Sequence, residues 1–505
     1  MGGLRALLPI FVVVLSACVG PQNDASSLQA DTNKPQTRVA LKNTHDPAFA
    51  KPNIVFYLAD DQDVTDYGVY GNEKVHTPAV DRLAREGIVF DNAFTGQAIC
   101  APSRSQLFTG KYPLRNGAFA NHTPTRPDAI SVTQQMRDLG YKVVLAGKSH
   151  VKPASVYDWD AEWKPVPKEG VPREYIPLSE IESYFAAATE PFVMFIASKY
   201  PHGKYFDVEK PDADALKFHP FDAHLRENAA YVRKRAGYYR SIEEDNRQLE
   251  RVLDLVDTHL GANTLFIYSA DHGVSGKFTL KDIGLKVPFV ARWPGVIEPG
   301  ARSDQLIHYT DVLPTLMDIA GGDVGPNMDG KSLLPLLRGR DQAIHDYVYG
   351  VRTNQNIINA HVFPSRMIRD KRYKYIRNFN ALEVLERNLG DNEAINVFLR
   401  KGAQQHPDEA YEELYDLVAD PFEQNNIARQ PEMAQVKSRL SKQMFVWMRE
   451  QGDILEDGFG NIPIISAPAF KLDQDSRFRT ISPELRNTLK PKDYLVIEHW
   501  ERDAR

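Results

Sequence analysis

Between residues 52 and 320 the apolar positions come in short unbroken blocks rather than alternating with polar ones. "PNIVFYLADD" (52–61), "YKVVLAGKSH" (141–150), "PFVMFIASKYPH" (191–202) and "NTLFIYSADHG" (263–273) each carry an aliphatic and aromatic block that ends in charged or imidazole side chains. A block apolar at successive positions predicts a strand covered on both faces, as in a parallel sheet flanked by helices. Helical spacing fills the intervals. "TPAVDRLAREG" (77–87) has Thr77 at the N-cap and Gly87 as a stop, and "SVTQQMRDLG" (131–140) repeats the design. A long helix is predicted over 229–260. The fold expected is α/β, with a central, mostly parallel (mixed) sheet between helices. Beyond about residue 340 the texture changes to short strands, a turn and one helix, in "SRMIRDKRYKYIRNF", "EELYDLVADPFEQNNIA" and "MAQVKSRLSKQMFVWMREQG". Residues 51–340 therefore read as a main domain and 341–505 as a smaller α+β subdomain.

The polar residues fall at telling places. Asp60 and Asp61, Lys148 and His150, His202, and Asp271 and His272 each follow a buried block. In open parallel sheets ligands bind beyond the carboxyl ends of the strands, so four strand ends aim at one place.

Composition narrows the possibilities. A chain of 505 residues exceeds what one core usually serves. The net charge of −6, from 61 basic and 67 acidic residues, gives no support for a nucleic-acid partner. At the N-terminus Arg5 precedes "ALLPIFVVVLSA", an apolar stretch too short to span a bilayer. It ends in "LSAC" (15–18), which resembles the lipobox of bacterial lipoproteins, whose cysteine is acylated and becomes the mature N-terminus. Residues 1–18 are then a lipoprotein signal peptide and 19–50 a flexible polar tether. The expectation is an exported lipoprotein, periplasmic or anchored at the outer membrane or cell surface, that meets the membrane through lipid at Cys18. The alternative is a plain secretory signal with an incidental cysteine. With Cys18 acylated, Cys100 is the sole thiol of an exported chain and has no disulfide partner. Such a thiol is either buried and inert or chemically used.

"CAPSR" (100–104), followed by "SQLFTGKYPLRNG", is similar to the signature of the formylglycine-dependent (type I) sulfatases of the alkaline phosphatase superfamily. The resemblance continues in order through "PNIVFYLADD", "GKSH", "PH", "SADHG", "GKFTLKDIGLKVPFVARWPG", "DVLPTLMDIAG" and "ELYDLVADPFEQNNIA". It covers nearly all of the chain after residue 50. "GKSHVKPASVYDWD" and "GKFTLKDIG" look closer to the branch with heparan N-sulfatase and bacterial polysaccharide sulfatases.

The resemblance implies an alkaline-phosphatase-like fold and a set of roles. A formylglycine-generating (sulfatase-maturing) enzyme, reading Pro102 and Arg104, would oxidise Cys100 to formylglycine (3-oxoalanine). The hydrated aldehyde attacks sulfur, and its second hydroxyl expels sulfate, dividing one hard step into two. Arg104 would order the diol. One divalent cation, Ca²⁺ by preference, would be held by Asp60, Asp61, Asp271, His272 and the modified Cys100. His272 stands where many relatives have Asn. Lys148 and Lys277 would bind sulfate oxygens, His150 would contact the diol and assist elimination, and His202 would protonate the departing sugar oxygen. Four residues separate His272 from Lys277, a shorter loop than in many relatives, and Lys286 competes with Lys277 for the sulfate role. Asp63 reads as a supporting or solvent-exposed carboxylate and not a ligand. Specificity is expected in 151–180, 203–235 and 351–366, with Arg352 and His361, while "RKR" (233–235) reads as a solvated helix face.

The activity expected is hydrolysis of sulfate esters on a sulfated carbohydrate such as carrageenan, ulvan or glycosaminoglycan, in polysaccharide degradation. One rival is a phosphoesterase or phosphonate hydrolase of the same superfamily, although two metals suit phosphate better than one. The other is a non-catalytic glycan-binding lipoprotein, which the full complement of site residues argues against.

Overall fold

The four apolar blocks pair at the centre of one nine-stranded sheet, in a computed structural model that describes residues 51–119, 121–354, 362–379, 409–453, 462–463 and 494–495. The leader, the tether with Cys18, and His361 lie outside the described residues. The strands are β1 (Asn53–Asp60), β2 (Ile88–Phe94), β3 (Lys142–Gly147), β4 (Ala161–Trp163), β5 (Phe192–Pro201), β6 (Thr264–Ala270), β7 (Lys286–Val287), β8 (Phe289–Arg292) and β9 (Ala301–His308). Their order is β4-β3-β5-β1-β6-β8-β2-β7, with β9 on β2. β4, β3, β5, β1 and β6 run parallel, whereas β8 is antiparallel to both β6 and β2. The sheet is mixed, as expected.

Strand periodicity explains why the central blocks are apolar throughout. Along β1, Ile54, Phe56 and Leu58 enter one core with Phe195, Phe289 and Leu313. Val55, Tyr57 and Ala59 enter the opposite core with Leu249, Val252 and Leu253 of the long helix Ala229–His259. Each face needs its own apolar set, so no polar position is left until the strand ends. Register then aligns those ends: Asp60 lies opposite Pro201, Ala59 opposite Ala270, and Gly147 opposite Ala197.

Helix α1 (Pro78–Glu86) departs from its sequence reading at the cap. Thr77 occupies the N-cap position, but its hydroxyl accepts from the Gly68 amide at 3.1 Å. Asn246, from the long helix, accepts the Ala79 amide at 2.9 Å in its place. An orphan first-turn donor needs an acceptor, and tertiary packing supplied a better-placed one.

The C-terminal region forms a separate antiparallel sheet of β10 (Val348–Asn354), β11 (Val362–Arg369), β12 (Tyr373–Asn378) and β13 (Glu412–Asp416). Ile368, Tyr375 and Leu414 pack with Leu440, Met444 and Trp447 of the helix Ala434–Glu450. Val348, Met367, Ile376 and Tyr415 pack with Leu280, Leu285 and Phe94, so this sheet backs the segment between β6 and β7. No helix among the described residues is long and apolar enough to cross a membrane.

Candidate active site

Helix α2 (Cys100–Thr109) opens beyond the aligned strand ends with Cys100 as its first residue. All ten of its residues are buried, although half are polar, because each polar group finds a partner. Ser103 donates to the Asp271 carbonyl at 2.5 Å, Gln106 donates to the Pro102 carbonyl at 3.0 Å, and the Gly96 amide donates to Gln106 Oε1 at 2.8 Å. Gly110 ends the helix in the left-handed region (φ +64°), its amide closing on Gln106.

The Cys100 thiol, which stands where the resemblance places formylglycine, has Sγ 3.4 Å from His272 Nε2. Asp61 Oδ1 and Lys277 Nζ are each 3.7 Å from it. One turn on, Arg104 is fully buried. Its Nε and Nη2 donate to Asp271 Oδ2 at 3.1 and 3.0 Å, Nη2 reaches Asp60 Oδ1 at 3.3 Å, and Nη1 donates to the Lys148 carbonyl at 3.1 Å. One guanidinium thus ties together the ends of β1, β3 and β6. Lys148 donates to both oxygens of Asp60, at 2.7 and 2.6 Å, and Lys277 to both oxygens of Asp61, at 3.0 and 2.8 Å.

Lys277 is held by a pinched loop. A Cβ at Gly276 would lie 2.3 Å from the Gly284 amide nitrogen, and one at Gly273 would lie 1.9 Å from the Ile283 carbonyl. Glycine is required for that approach. The Phe278 amide fastens the loop to the Ala98 carbonyl, just before α2.

Burial alone would raise the carboxyl groups, yet the cations win. Asp60 is held well below the usual carboxylate range by Lys148 and Arg104, and Asp61 by His272 and Lys277. For His272, burial favours the neutral ring, but Asp271 and Asp61 outweigh it and raise its pKa well above the ordinary value. Asp60, Asp61 and Asp271 each offer an oxygen within 4.8 Å of the others, and Cys100, Asp271 and His272 form an overlapping group. Three buried carboxylates plus an imidazole suit a hard divalent cation, and the cluster of ammonium groups on the same oxygens shows how strongly the site draws positive charge.

The remaining expected residues lie around this centre. His202 follows β5 with its side chain one-third exposed and Nε2 3.5 Å from Asp61 Oδ2. Its Nδ1 has Arg173 Nη2 at 2.9 Å and the Gly203 carbonyl at 2.8 Å. His150 has a left-handed backbone (φ +59°), and its Nε2 pairs with Nδ1 of His122 at 2.8 Å. Burial, then the charges of Lys148 and Arg104, push its pKa down to about 2. His122 is itself left-handed (φ +63°), and facing non-glycine residues in that region mark a constrained site.

Other expectations change. Asp63 is fully buried and accepts from the Ser275 amide at 2.9 Å, so the solvent-exposed reading falls. Lys286 lies on β7, and its charged neighbours are Asp282, Arg369, Asp91 and Lys374 rather than the groups around Cys100. Arg235 is not on a solvated face: it is buried and pairs with Asp66 at 3.3 Å, because the helix turns that position toward the β1 end. Arg352 is buried and donates to Glu409 at 2.6 Å. Arg173 and His122 were missed. Each is a loop residue joined to its histidine across 28 or 29 positions, and no periodic signal marks such a pair.

Residues 52–322 match the sulfatase family model, and residues 270–405 match that of the N-sulphoglucosamine sulphohydrolase C-terminal region. The chain is 62% identical over 491 residues to an ulvan-active sulfatase of Formosa agariphila, covering 97% of this chain and 99% of that protein. It is 25% identical to human N-sulphoglucosamine sulphohydrolase, covering 80% and 91% of the two chains. Its fold resembles a solved 2-O GAG sulfatase (TM-score 0.65, 23% identity, 81% and 94% covered). It also resembles the phosphonate monoester hydrolase of Agrobacterium radiobacter (TM-score 0.60, 19% identity, 79% and 96% covered). Motif order, strand-end geometry and a family match over more than half its length agree: the chain belongs to the sulfatase family of the alkaline phosphatase superfamily.

Proposed function

We propose that this chain is an exported, lipid-anchored sulfatase that removes sulfate esters from a sulfated polysaccharide, with ulvan the first candidate. The observation that carries the substrate is the 62% identity, over 97% of the chain, to an ulvan-active sulfatase. The "LSAC" tetrapeptide supports the anchor, and the polar stretch after it supports a tether. The shared fold with a phosphonate monoester hydrolase keeps that chemistry as the rival, since a phosphonate monoester is singly charged like a sulfate ester. Three carboxylates and one imidazole furnish ligands for one cation, which argues against a doubly charged phosphate monoester, and the identity to an ulvan-active sulfatase favours sulfate.

The proposed residues divide the work as follows. Cys100, converted to formylglycine, supplies a hydrated aldehyde as nucleophile. Asp60, Asp61, Asp271 and His272, together with residue 100, would hold a divalent cation such as Ca²⁺, which when bound would supply positive charge for the nucleophile and for sulfate oxygens. Arg104 orients residue 100 from one helical turn away while fixing Asp60 and Asp271. Lys148 and Lys277 are the flexible donors beside Cys100, and an anion there takes over hydrogen bonds that they now spend on carboxylates. His150, neutral at working pH, is a proton acceptor for the elimination step. His202, at the exposed rim, presents Nε2 to the departing sugar oxygen.

The test is desulfation of defined ulvan, carrageenan and glycosaminoglycan oligosaccharides by protein made with a sulfatase-maturing enzyme, with intact mass read at residue 100. Sulfate release from ulvan fragments by formylglycine-containing protein is expected. Turnover of phosphonate esters with no sulfate release, or full activity with an unmodified thiol, overturns the reading.

A further inference from the structure

Arg173 differs from the other cations near Cys100. Arg104, Lys148 and Lys277 all donate to carboxylates. Arg173 does not: among the described residues its side-chain donors go to one neighbour, His202. Nε reaches the His202 carbonyl at 3.2 Å and Nη2 reaches Nδ1 at 2.9 Å. The adjacent Glu174 is engaged by Lys199 at 2.8 Å.

Its position is fixed from two sides. The buried Tyr200, two residues before His202 at the end of β5, accepts from the Arg173 amide at 3.2 Å and donates to the Arg173 carbonyl at 3.0 Å. Backbone and head group are therefore both fastened to the strand end that carries His202. A guanidinium has five N–H donors in one plane. The Nε–Nη2 edge is spent on His202, which leaves the outer Nη1–Nη2 edge, a fork that matches the two oxygens of a planar carboxylate. The residue is only partly buried, and its Nη1 makes no hydrogen bond to the described residues.

We propose that Arg173 is a specificity-determining residue that binds a carboxylate on the sugar chain, next to the sulfated position undergoing hydrolysis. This rests on the reading of the site as a carbohydrate sulfatase with the leaving oxygen at His202, and it adds the chemical class of the substrate: an acidic sugar, bearing a carboxylate as well as the ester sulfate. Arg173 lies one imidazole ring from Nε2, so the carboxylate belongs to the leaving sugar or to its immediate neighbour. Preorganisation by Tyr200 and His202 means that little side-chain freedom is lost on binding.

The experiment compares kcat/KM for a sulfated, uronate-containing oligosaccharide with that for the same oligosaccharide after reduction of its carboxyl groups to hydroxymethyl. Wild-type enzyme is expected to prefer the native form by roughly tenfold or more, the scale of a charge-assisted bidentate contact. In Arg173→Gln the ratio falls to within about twofold of unity, and Arg173→Lys, which keeps the charge without the fork, falls between. Any general loss from disturbing His202 cancels in the ratio. A wild-type ratio near one, or a ratio unchanged in both variants, overturns the proposal. So does a ratio that responds to a second sulfate but not to the carboxylate. Release of sulfate from neither form would instead overturn the carbohydrate-sulfatase reading itself.

Discussion

Two buried charge clusters lie on either side of the loop that carries Lys277, and they are built for different ends. At the β1, β3 and β6 ends, Asp60, Asp61 and Asp271 share Arg104, Lys148, Lys277 and His272 around the first residue of a helix. Between the two sheets, Asp282 takes Arg369 and Lys374, and Lys374 also meets Glu423 at 2.9 Å. Both perturb titration: Asp282 is held low by Arg369 and Lys374 against burial, much as Asp60 is by its own cations. A shifted pKa therefore does not by itself separate catalysis from architecture. The difference lies in what surrounds the charges. The second cluster links β11 and β12 to the helical turn before β7 and, among the described residues, encloses no thiol. The first encloses a thiol, and two of its cations are lysines whose ammonium groups can turn to an incoming anion.

That contrast can be broken most forcefully at Cys100. Cys100→Ala should lower kcat/KM on the order of 10⁴-fold or more while urea unfolding stays within about 1 kcal/mol of wild type. An equal loss of stability would make Cys100 a packing residue. Next, Asp282→Ala leaves Lys374 and Arg369 buried beside a lost partner and should cost about 3–5 kcal/mol in urea unfolding. A loss under about 1 kcal/mol would show that this cluster is not structural. Lys148→Ala leaves Asp60 still paired with Arg104, so it should lower turnover about 10²- to 10³-fold. A larger effect on unfolding than on rate would place Lys148 in the second class.

The smallest effect comes from a third kind of buried charge. Asp245 accepts from the Tyr57 hydroxyl at 2.8 Å, and burial pushes its carboxyl up to about 7. The folded chain then keeps a proton that the unfolded chain, with a carboxyl near 3.9, has already released. The stability this gives is complete below about pH 4 and is lost as pH rises through about 7. Asp245→Asn mimics the protonated acid. Its melting temperature relative to wild type should rise between pH 5 and pH 8.5, by the equivalent of a few kcal/mol at most. A gap that is flat with pH would mean that Asp245 titrates normally.

The sequence disclosed the centre of the site better than its rim. Asp60, Lys148, His202 and Asp271 were visible because each interrupts an apolar block that two cores require, and parallel pairing does the rest. Cys100 and Arg104 were visible through the motif, and their spacing of one turn places both on the site. Arg235 was misread because a run of like charges carries no mark of which member turns inward to Asp66. Thr77 was misread as a cap because Asn246, 169 positions away, makes the contact. Arg173 and His122 illustrate the general limit: their partners are set by loop paths, and loops leave no period in the chain.

The complete burial of α2 bears on the order of events in the life of the molecule. Cys100, Pro102 and Arg104, the residues from which the oxidising enzyme would read its target, are all inaccessible once the helix has docked, and Arg104 is locked to Asp60 and Asp271. On the proposed reading, conversion of residue 100 would precede docking, while the segment is still accessible. The buried helix would then fix at residue 100 whatever side chain it carried on docking, and a molecule that folded first would have no route to the modification.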